Sequence, residues 1–374
     1  MVDFLRKTPS ATDYFQDYFA PNQHSKVKPW DLTAEQLAAI GLTRETWSLD
    51  VVTAGHGSLM GTPRGKATGN PIRYAEVQKL YEQRPVRVLK NVTCLMGRGT
   101  NNSGLWEGVA LRDVLWLVKP TGPIRRIAFH AFDPEEATKQ QWCSSFPPAR
   151  VFEDPPGLAP VLLALKFNGS WLTPKQGGPV RLIAHEHYGN KNTRHLQRIE
   201  FSAQDAPTDD YSKIGQDVES PVKTVAQSFG LKRRWSASTP TVVVGRILVG
   251  MSGVGGAQYA IVPADAPIAE DDPFMEKLPW QDASLLQAPA DFASKIPGGP
   301  KGVFGHDPAT GTPTTWPIPG FTAFWGTVIR GLKPGHYRMY ARAITRGGDA
   351  QPRPRPFANS GVSEVPSIDF RITT

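Results

Sequence analysis

The sequence predicts a mixed α+β domain followed by an all-β domain, and three observations lead to this fold class. The 374 residues suit two domains of ordinary size. Gly and Pro, 35 of each, make up about one residue in five, so turns and short strands outweigh long helices. Helical and strand patterns alternate up to residue 218, whereas strands with turn signals recur almost alone after it. We therefore predict domains at residues 1–218 and 219–374.

The first domain begins with an irregular aromatic arm, residues 14–19, and continues with alternating helix and strand signals. The segment DLTAEQLAAIG predicts a helix, with Asp31 or Thr33 as its N-cap and Gly41 as its stop. Apolar residues recur at helical spacing over residues 106–118 and predict another helix. Strands are predicted at 46–52, 86–94, 124–133, 179–189 and 196–203, with a glycine-rich loop at 55–71 and a helix at 73–83. The segment 161–172 carries an Asn-Gly turn at Asn168-Gly169.

The second domain has the sequence pattern typical of a β-sandwich, in which short strands alternate with turns. A long insertion rich in Pro and Gly, from Pro267 to Pro319, interrupts this pattern. The predicted strands are 241–253, 257–265, 321–329, 335–348 and 367–373.

Charge, hydropathy and cysteine usage exclude several classes of protein. Lys and Arg number 42 against 34 Asp and Glu, a formal net charge of +8, which indicates a solvated basic surface or one that faces an acidic partner. No nucleic-acid-binding module is present, and no apolar run approaches the ~18 residues of a membrane span. Two cysteines make neither a disulfide framework nor a CxxC zinc pair. No signal peptide is visible, so we expect a cytoplasmic protein, or a periplasmic one if an export signal is missing from this sequence.

A cysteine at the end of a predicted strand is the first candidate for chemistry. Cys94 is followed by the polar, glycine-rich loop LMGRGTNNSG. A thiolate is a soft metal ligand and a nucleophile, and Arg98 would lower the thiol pKa or hold an anion beside it. The alternative is a buried structural cysteine, which is our interpretation of Cys143.

A basic glycine turn is the second candidate. A strand that carries Arg181 leads to a turn at Gly189 that bears Lys191, Asn192 and Arg194. Backbone amides, cations and an amide side chain together suit a phosphate. A solvated, charged loop is the alternative.

These pieces together resemble the sulfite oxidase family of molybdenum–molybdopterin enzymes. The family has a single metal-binding cysteine at a strand end, and its further motifs follow here in the same order. They are W-x-G-x-x-L-R-D-V-L at 106–115, Asn168-Gly169, G-x-P-V-R at 177–181, a glycine turn and strand at 189–199, and the pair Asp210-Tyr211.

The resemblance continues into the second half and covers residues 86–374. It implies an immunoglobulin-like β-sandwich dimerisation domain at 219–374, and hence a homodimer. The matching features are the glycine turn at 253–256, a strand around Trp325, the segment 342–352, and Asn359 close to Gly361.

The resemblance also implies roles for individual residues. Cys94 is expected to be the molybdenum ligand, with Tyr211 and Arg98 beside it as catalytic residues. Contacts to the phosphate and pterin of the cofactor are expected from Asp133, Arg181, Lys191, Asn192 and Arg194.

Several positions depart from the family pattern. Gln176 stands where histidine is common, and Leu95-Met96-Gly97 follows the cysteine in place of a small residue, glycine and asparagine. No R-N-H element is present near the N-terminus, where His24 or His56 would have to substitute. Gln258 replaces a sulfite-binding arginine, which bears on sulfite as substrate more than on the cofactor.

The expected function is a molybdenum-dependent oxidoreductase that transfers an oxygen atom. It would oxidise sulfite or a related small oxyanion or sulfur compound and pass electrons to a separate carrier such as a cytochrome. Two alternatives stay open: a reductase of sulfoxides or other oxo compounds on the same fold, and a cofactor-free binding protein. His185 and His187, two apart on a predicted strand, are interpreted as structural or cofactor-contact residues rather than a metal pair.

Overall fold

The computed structural model describes most of the chain. Four residues named above, His24, His56, Arg98 and Asp133, lie outside the described residues, so their predicted roles stay predictions. The described ranges are 9–17, 28–55, 57–96, 101–132, 142–269, 271–272, 275–351, 358–361 and 363–374.

The described residues up to 218 form two sheets and four short α-helices. The helices are α1 (Ala34–Ala39), α2 (Tyr74–Gln83), α3 (Leu111–Leu115) and α4 (Pro148–Phe152). The strands are β1 (Gln16–Asp17), β2 (Ser48–Thr53), β3 (Ile72–Arg73), β4 (Val86–Thr93), β5 (Asn101–Ala110), β6 (Arg126–Ala131), β7 (Cys143–Phe146), β8 (Leu162–Phe167), β9 (Ser170–Trp171), β10 (Arg181–Ile183) and β11 (Leu196–Ser202).

The two sheets share one core. The first has the order β1-β5-β8-β10, with β4 on β5 and β9 on β8, and the second has the order β3-β2-β11-β6-β7. Strand β11 is parallel to β2 and antiparallel to β6. Leu49 and Phe129 of the second sheet, Leu163 of the first and Val114 of α3 belong to a single buried cluster. Apolar faces of both sheets and the helices are therefore removed from water together.

The helix predicted over residues 106–118 is partly wrong. Residues up to Ala110 continue β5, and only Leu111–Leu115 form an α-helix. Strand β5 is hydrogen-bonded to β4 on one side and to β8 on the other, and this pairing outweighs the helical spacing of the apolar residues. At Gly108 an added Cβ would lie 1.9 Å from the Leu163 carbonyl oxygen, so the close approach of β5 and β8 requires glycine.

The predicted helix DLTAEQLAAIG forms, with Thr33 rather than Asp31 as its N-cap. The Gln36 amide donates to the Thr33 hydroxyl at 3.3 Å, and the Thr33 amide donates to the Gln36 side chain at 2.9 Å. This reciprocal pair satisfies two backbone donors at the start of α1. The predicted Asn168-Gly169 turn also forms, with φ values of 49° and 81°, and it joins β8 to β9 as such turns do.

The rest of the chain is dominated by strands, as predicted. A core cluster contains Val243, Trp325, Met339 and Phe370, which come from strands at different places in one eight-stranded sheet. Its order is β12-β14-β17-β16-β15-β18-β19-β13. The strands are β12 (Val225–Gly230), β13 (Arg234–Ser236), β14 (Thr241–Leu248), β15 (Gly256–Pro263), β16 (Gln281–Leu285), β17 (Thr322–Ile329), β18 (Gly335–Ile344) and β19 (Ser367–Thr373).

The insertion from Pro267 to Pro319 packs against the first part of the chain. Phe292 and Val303 of the insertion lie in one buried cluster with Tyr14 of the aromatic arm and Leu105 of β5. This cluster links both halves of the molecule and brings the insertion close to the turn after β10. In the described part of the chain, no helix is both long and apolar enough to cross a membrane.

Candidate active site

Cys94 follows the last residue of β4, where pairing with β5 continues to the strand end. Thr93 pairs with Asn101 of β5, so the backbone immediately before Cys94 is fixed within a sheet. The Cys94 side chain is half-buried and not in a disulfide. Cys143 is buried at the start of β7, and burial raises the pKa of its thiol to about 11. The two cysteines therefore differ as the sequence predicts, with Cys94 accessible and Cys143 an inert part of the core.

Tyr211 meets Cys94 in space. Burial raises the pKa of Tyr211 to about 12, and the charge of Cys94 and a hydrogen bond between the two side chains raise it further. The Tyr211 ring packs edge-on against Trp142, with ring centroids 4.9 Å apart. The phenol is therefore protonated at neutral pH and can donate a hydrogen bond beside the thiol. The structure thus brings together two residues that were predicted to share a site.

Arg181 and Arg194 form a pair of like charges inside the first part of the chain. Burial and the neighbouring Arg194 lower the pKa of Arg181, and burial lowers the pKa of Arg194 to about 10. The Arg181 guanidinium lies over the Trp106 ring, 5.0 Å from its centroid, and donates to the Gln176 carbonyl at 3.0 Å. Two buried cations this close favour an anion between or beside them. The pair therefore suits the phosphate contact predicted for it, which stays a prediction.

Lys191 and Asn192 bind protein groups. The Lys191 ammonium is 2.8 Å from the Asp209 carboxylate and 3.2 Å from that of Glu219. The Asn192 side chain accepts from the Ala184 amide at 2.7 Å and donates to the Tyr188 carbonyl at 2.6 Å. Asn192 thus holds the turn between β10 and β11 together by hydrogen bonds. The contacts predicted from these two residues to a cofactor stay predictions.

The turn between β10 and β11 packs against the end of β4. An added Cβ on Gly189 would lie 3.2 Å from the Thr93 carbonyl oxygen, immediately before Cys94. His185 and His187 lie in this turn rather than on a strand, because β10 ends at Ile183. Burial lowers the pKa of both imidazoles to about 4, so both are neutral. Within the described residues no group of three His, Cys, Asp or Glu side chains is placed to hold a metal ion.

Several buried polar atoms of β4 and of the turn after β10 fit a polar cofactor. Among the described residues, the Nδ1 atoms of His185 and His187, the Asn190 Nδ2 atom and the Asn91 Oδ1 atom are buried and make no hydrogen bond. Such an atom costs about 1–3 kcal/mol when it stays unpaired. Donors and acceptors of this kind match the amide and amine edge of a pterin. The residues around Cys94 therefore suit a pterin cofactor with an anionic group.

Lys90 is a site residue that the sequence analysis missed. It lies on β4, is 0% exposed, and donates to the carbonyl oxygens of His185 and His187, at 2.8 Å each. Burial lowers the pKa of its ammonium to about 7. The available signal was a lysine among apolar residues of a predicted buried strand, four positions before Cys94. Lys90 ties that strand to the turn that carries both histidines.

Gln258 lies on β15, opposite Arg342 of β18. Its side chain accepts from Arg342 Nε at 2.9 Å and donates to Asp282 at 3.0 Å. The Arg342 guanidinium also stacks on Trp280, 4.1 Å from the ring centroid. Gln258 is therefore engaged within the eight-stranded sheet, and its effect on substrate choice stays a prediction.

Comparison with known proteins adds three likenesses. Residues 66–209 match the family model described as the oxidoreductase molybdopterin binding domain. Over 139 residues, 36% of this chain, the sequence is 29% identical to a nitrate reductase [NADPH] of Fusarium oxysporum, and the match spans 14% of that protein. The crystal structure of the sulfane dehydrogenase SoxCD from Paracoccus pantotrophus covers 95% of this chain and 87% of its own, with a TM-score of 0.59 and 14% identity. The first likeness includes Cys94 and ends just before Tyr211, and the last concerns the fold.

Proposed function

We propose that this chain, whose residues 66–209 match the oxidoreductase molybdopterin binding domain, is an oxidoreductase of the sulfite oxidase type that transfers an oxygen atom at a single molybdenum centre ligated by Cys94. Molybdopterin with molybdenum is the cofactor of the domain at residues 66–209. The proximity of Tyr211 to Cys94, which contributes with burial to raising the pKa of the phenol, supports the proposal most directly. It places an accessible thiol, suited to a soft metal, beside a protonated hydroxyl that can orient an oxygen atom.

The chain's own residues have distinct tasks in this proposal. When bound, the cofactor supplies the redox-active metal that accepts or gives two electrons. Cys94 offers its sulfur from the end of a paired strand, and Tyr211 donates a hydrogen bond to a substrate oxygen placed beside that sulfur. Arg181 and Arg194 balance the charge of the cofactor's phosphate. Buried atoms of the turn after β10 pair with the polar edge of the pterin.

The proposed substrate is sulfite or a related small oxyanion or sulfur compound. Oxidation of sulfite takes one oxygen atom from water and releases two electrons and two protons. We propose that the electrons leave to a separate carrier, such as a cytochrome, for which the net charge of +8 suits an acidic surface. The second candidate is the reverse reaction, reduction of an oxo compound. The likeness to a nitrate reductase over the molybdopterin-binding part favours that direction.

The strand-rich part from residue 219 onward is proposed to be an immunoglobulin-like dimerisation domain. Its strand pairing, which is antiparallel except between β13 and β19, and its core between different strands of one sheet support this proposal. Light scattering coupled to gel filtration tests it. A mass of twice the chain is expected, and a monomer over a wide concentration range would contradict it.

Metal analysis tests the central proposal. We expect about one molybdenum per chain in the wild type and in a Cys143→Ser control, and altered or lost metal in Cys94→Ser. Absence of both metal and pterin from protein made in a host that loads such cofactors would refute it.

Kinetics then decide the direction of the reaction. The rate of sulfite oxidation with ferricyanide as electron acceptor is compared with the rate of reduction of nitrate or a sulfoxide with a reduced viologen dye as electron donor. In the productive assay, Tyr211→Phe is expected to lower kcat by about 10²-fold, the usual effect of removing one hydrogen-bond donor from the reacting centre. A Tyr81→Phe control removes a hydroxyl on α2 and should leave kcat unchanged.

A further inference from the structure

A buried ion pair lies directly behind the turn that carries Tyr211. Lys191 is 0% exposed and Asp209 is 2% exposed, and the Lys191 ammonium is 2.8 Å from the Asp209 carboxylate. We propose that this pair is a positioning device that holds Tyr211 against Cys94. The inference rests on the proposed function, which makes that contact the reacting centre.

The side chain of Asp209 is held from three elements. Ser145 of β7 donates its hydroxyl hydrogen to Asp209 Oδ2, and the Arg126 guanidinium of β6 lies 3.9 Å from the same oxygen. Lys191 approaches the other oxygen from the turn before β11. Arg126 and Lys191 are also both bound to Glu219. The Asp209 carboxylate is therefore fixed to the second sheet by two cations and a hydroxyl.

The main chain of Asp209 starts the turn in which Tyr211 sits. Its carbonyl oxygen accepts from the Ser212 amide at 3.0 Å and from the Ser212 hydroxyl at 2.6 Å. The next residue, Asp210, accepts from the Cys143 amide at 2.8 Å through its carboxylate and donates its own amide to the Cys143 carbonyl at 3.1 Å. Two successive residues are thus anchored before Tyr211. Little freedom remains for the phenol to leave the thiol.

The geometry favours this role for Lys191 over a contact to a phosphate. An ammonium has three hydrogens to donate, and three protein acceptors surround this one: Asp209, Glu219 and the Ser145 carbonyl oxygen at 2.5 Å. A phosphate here would stand beside two carboxylates and be repelled by both. Arg181 and Arg194, whose like charges influence each other, are the better anion site.

Asp209→Asn in the full-length protein tests the proposal, because it removes the charge and keeps the size of the side chain. The readout is carbon-13 NMR of labelled tyrosine rings, with the Tyr211 signal assigned by its loss in Tyr211→Phe. In the wild type the edge of Trp142 shifts this signal away from the others. In Asp209→Asn we expect it to move toward the unshifted positions and broaden. Hydrogen exchange over residues 211–216 should become at least tenfold faster.

Glu186→Gln is the matched control. It breaks a second buried ion pair of the same domain, Arg150 with Glu186, which makes no contact with the turn of Tyr211 among the described hydrogen bonds and ion pairs. The Tyr211 signal should stay in place in this variant. An equal shift in both variants would mean general loosening and would overturn the proposal.

Lys191→Met is the second variant, and it is decisive if Asp209→Asn does not fold. A displaced Tyr211 signal with molybdopterin retained supports positioning. An unmoved signal overturns the proposal, and loss of the pterin with an unmoved signal would assign Lys191 to the cofactor instead. The NMR readout is independent of turnover. Failure of the proposed function would be seen separately, as an unchanged kcat in Tyr211→Phe.

Discussion

Replacement of Lys90 by Met should change how stability depends on pH. The folded pKa of Lys90 is about 7 because burial lowers it, whereas an unfolded lysine has a pKa of about 10.4. Between these values the unfolded state binds more protons, so wild-type stability gains from Lys90 as the pH rises. From pH 7 to pH 9 this gain integrates to about 2 kcal/mol at 1.36 kcal/mol per pH unit. Lys90→Met lacks it.

The pH slope separates this effect from the other consequences of the substitution. Removing the ammonium takes one donor from each of the carbonyl oxygens of His185 and His187, and the His187 oxygen keeps only the Asn192 side-chain amide at 3.3 Å. The buried His185 oxygen then costs about 1–3 kcal/mol, which does not vary with pH. Urea unfolding of the wild type and of Lys90→Met gives the difference between their free energies of unfolding at pH 7 and again at pH 9. Lys79→Met, which removes an exposed lysine of α2, is the control. Parallel stability curves for the wild type and Lys90→Met over this range would refute the reasoning.

Three further outcomes follow from the structure. Burial raises the pKa of Glu186, but Arg150 and His187 outweigh this effect and hold the pKa at about 2. Between pH 5 and pH 2 the free energy of unfolding of the wild type should therefore fall by about 3 kcal/mol more than that of Glu186→Gln. An equal loss of stability in acid for the two proteins would contradict this. Gly108→Ala should destabilise the fold by about 1–3 kcal/mol or more through overpacking of β5 on β8, measured by urea unfolding, whereas the open site at Gly230 should tolerate alanine. Arg181→Met should retain the pterin about 10- to 100-fold less tightly after dialysis, as expected for one lost charged hydrogen bond; retention equal to that of an Arg64→Met control would argue against an anion site at Arg181.

Features governed by neighbouring residues were predictable. The Asn168-Gly169 turn requires positive φ at both positions, and these two residues tolerate it best. Thr33 and Gln36 form a capping box that the sequence carries within four residues. Cys94 follows a strand whose alternation is visible in the sequence, and the pattern of family motifs led to Tyr211.

Features governed by distant residues were not predictable in the same way. Residues 106–110 carry an apolar spacing that fits a helix, yet they form a strand because β4 and β8 offer hydrogen bonds on both sides. His185 and His187 leave the predicted strand because Asn192 and Lys90 fold that segment into a turn. Lys90 lies 95 positions before His185 in the sequence, so no local pattern shows that the two meet.

Sequence patterns predicted several turns, most strands, the β-rich second half, and the thiol and phenol that we propose for one site. Three features came from the three-dimensional arrangement alone: Lys191 pairs with Asp209, Lys90 is a buried lysine with a lowered pKa, and Tyr211 lies close to Cys94. The physical reason is that burial and ion pairing depend on which side chains meet in space. A local pattern reports backbone preference over a few residues, whereas the desolvation of a charge is set by the whole fold.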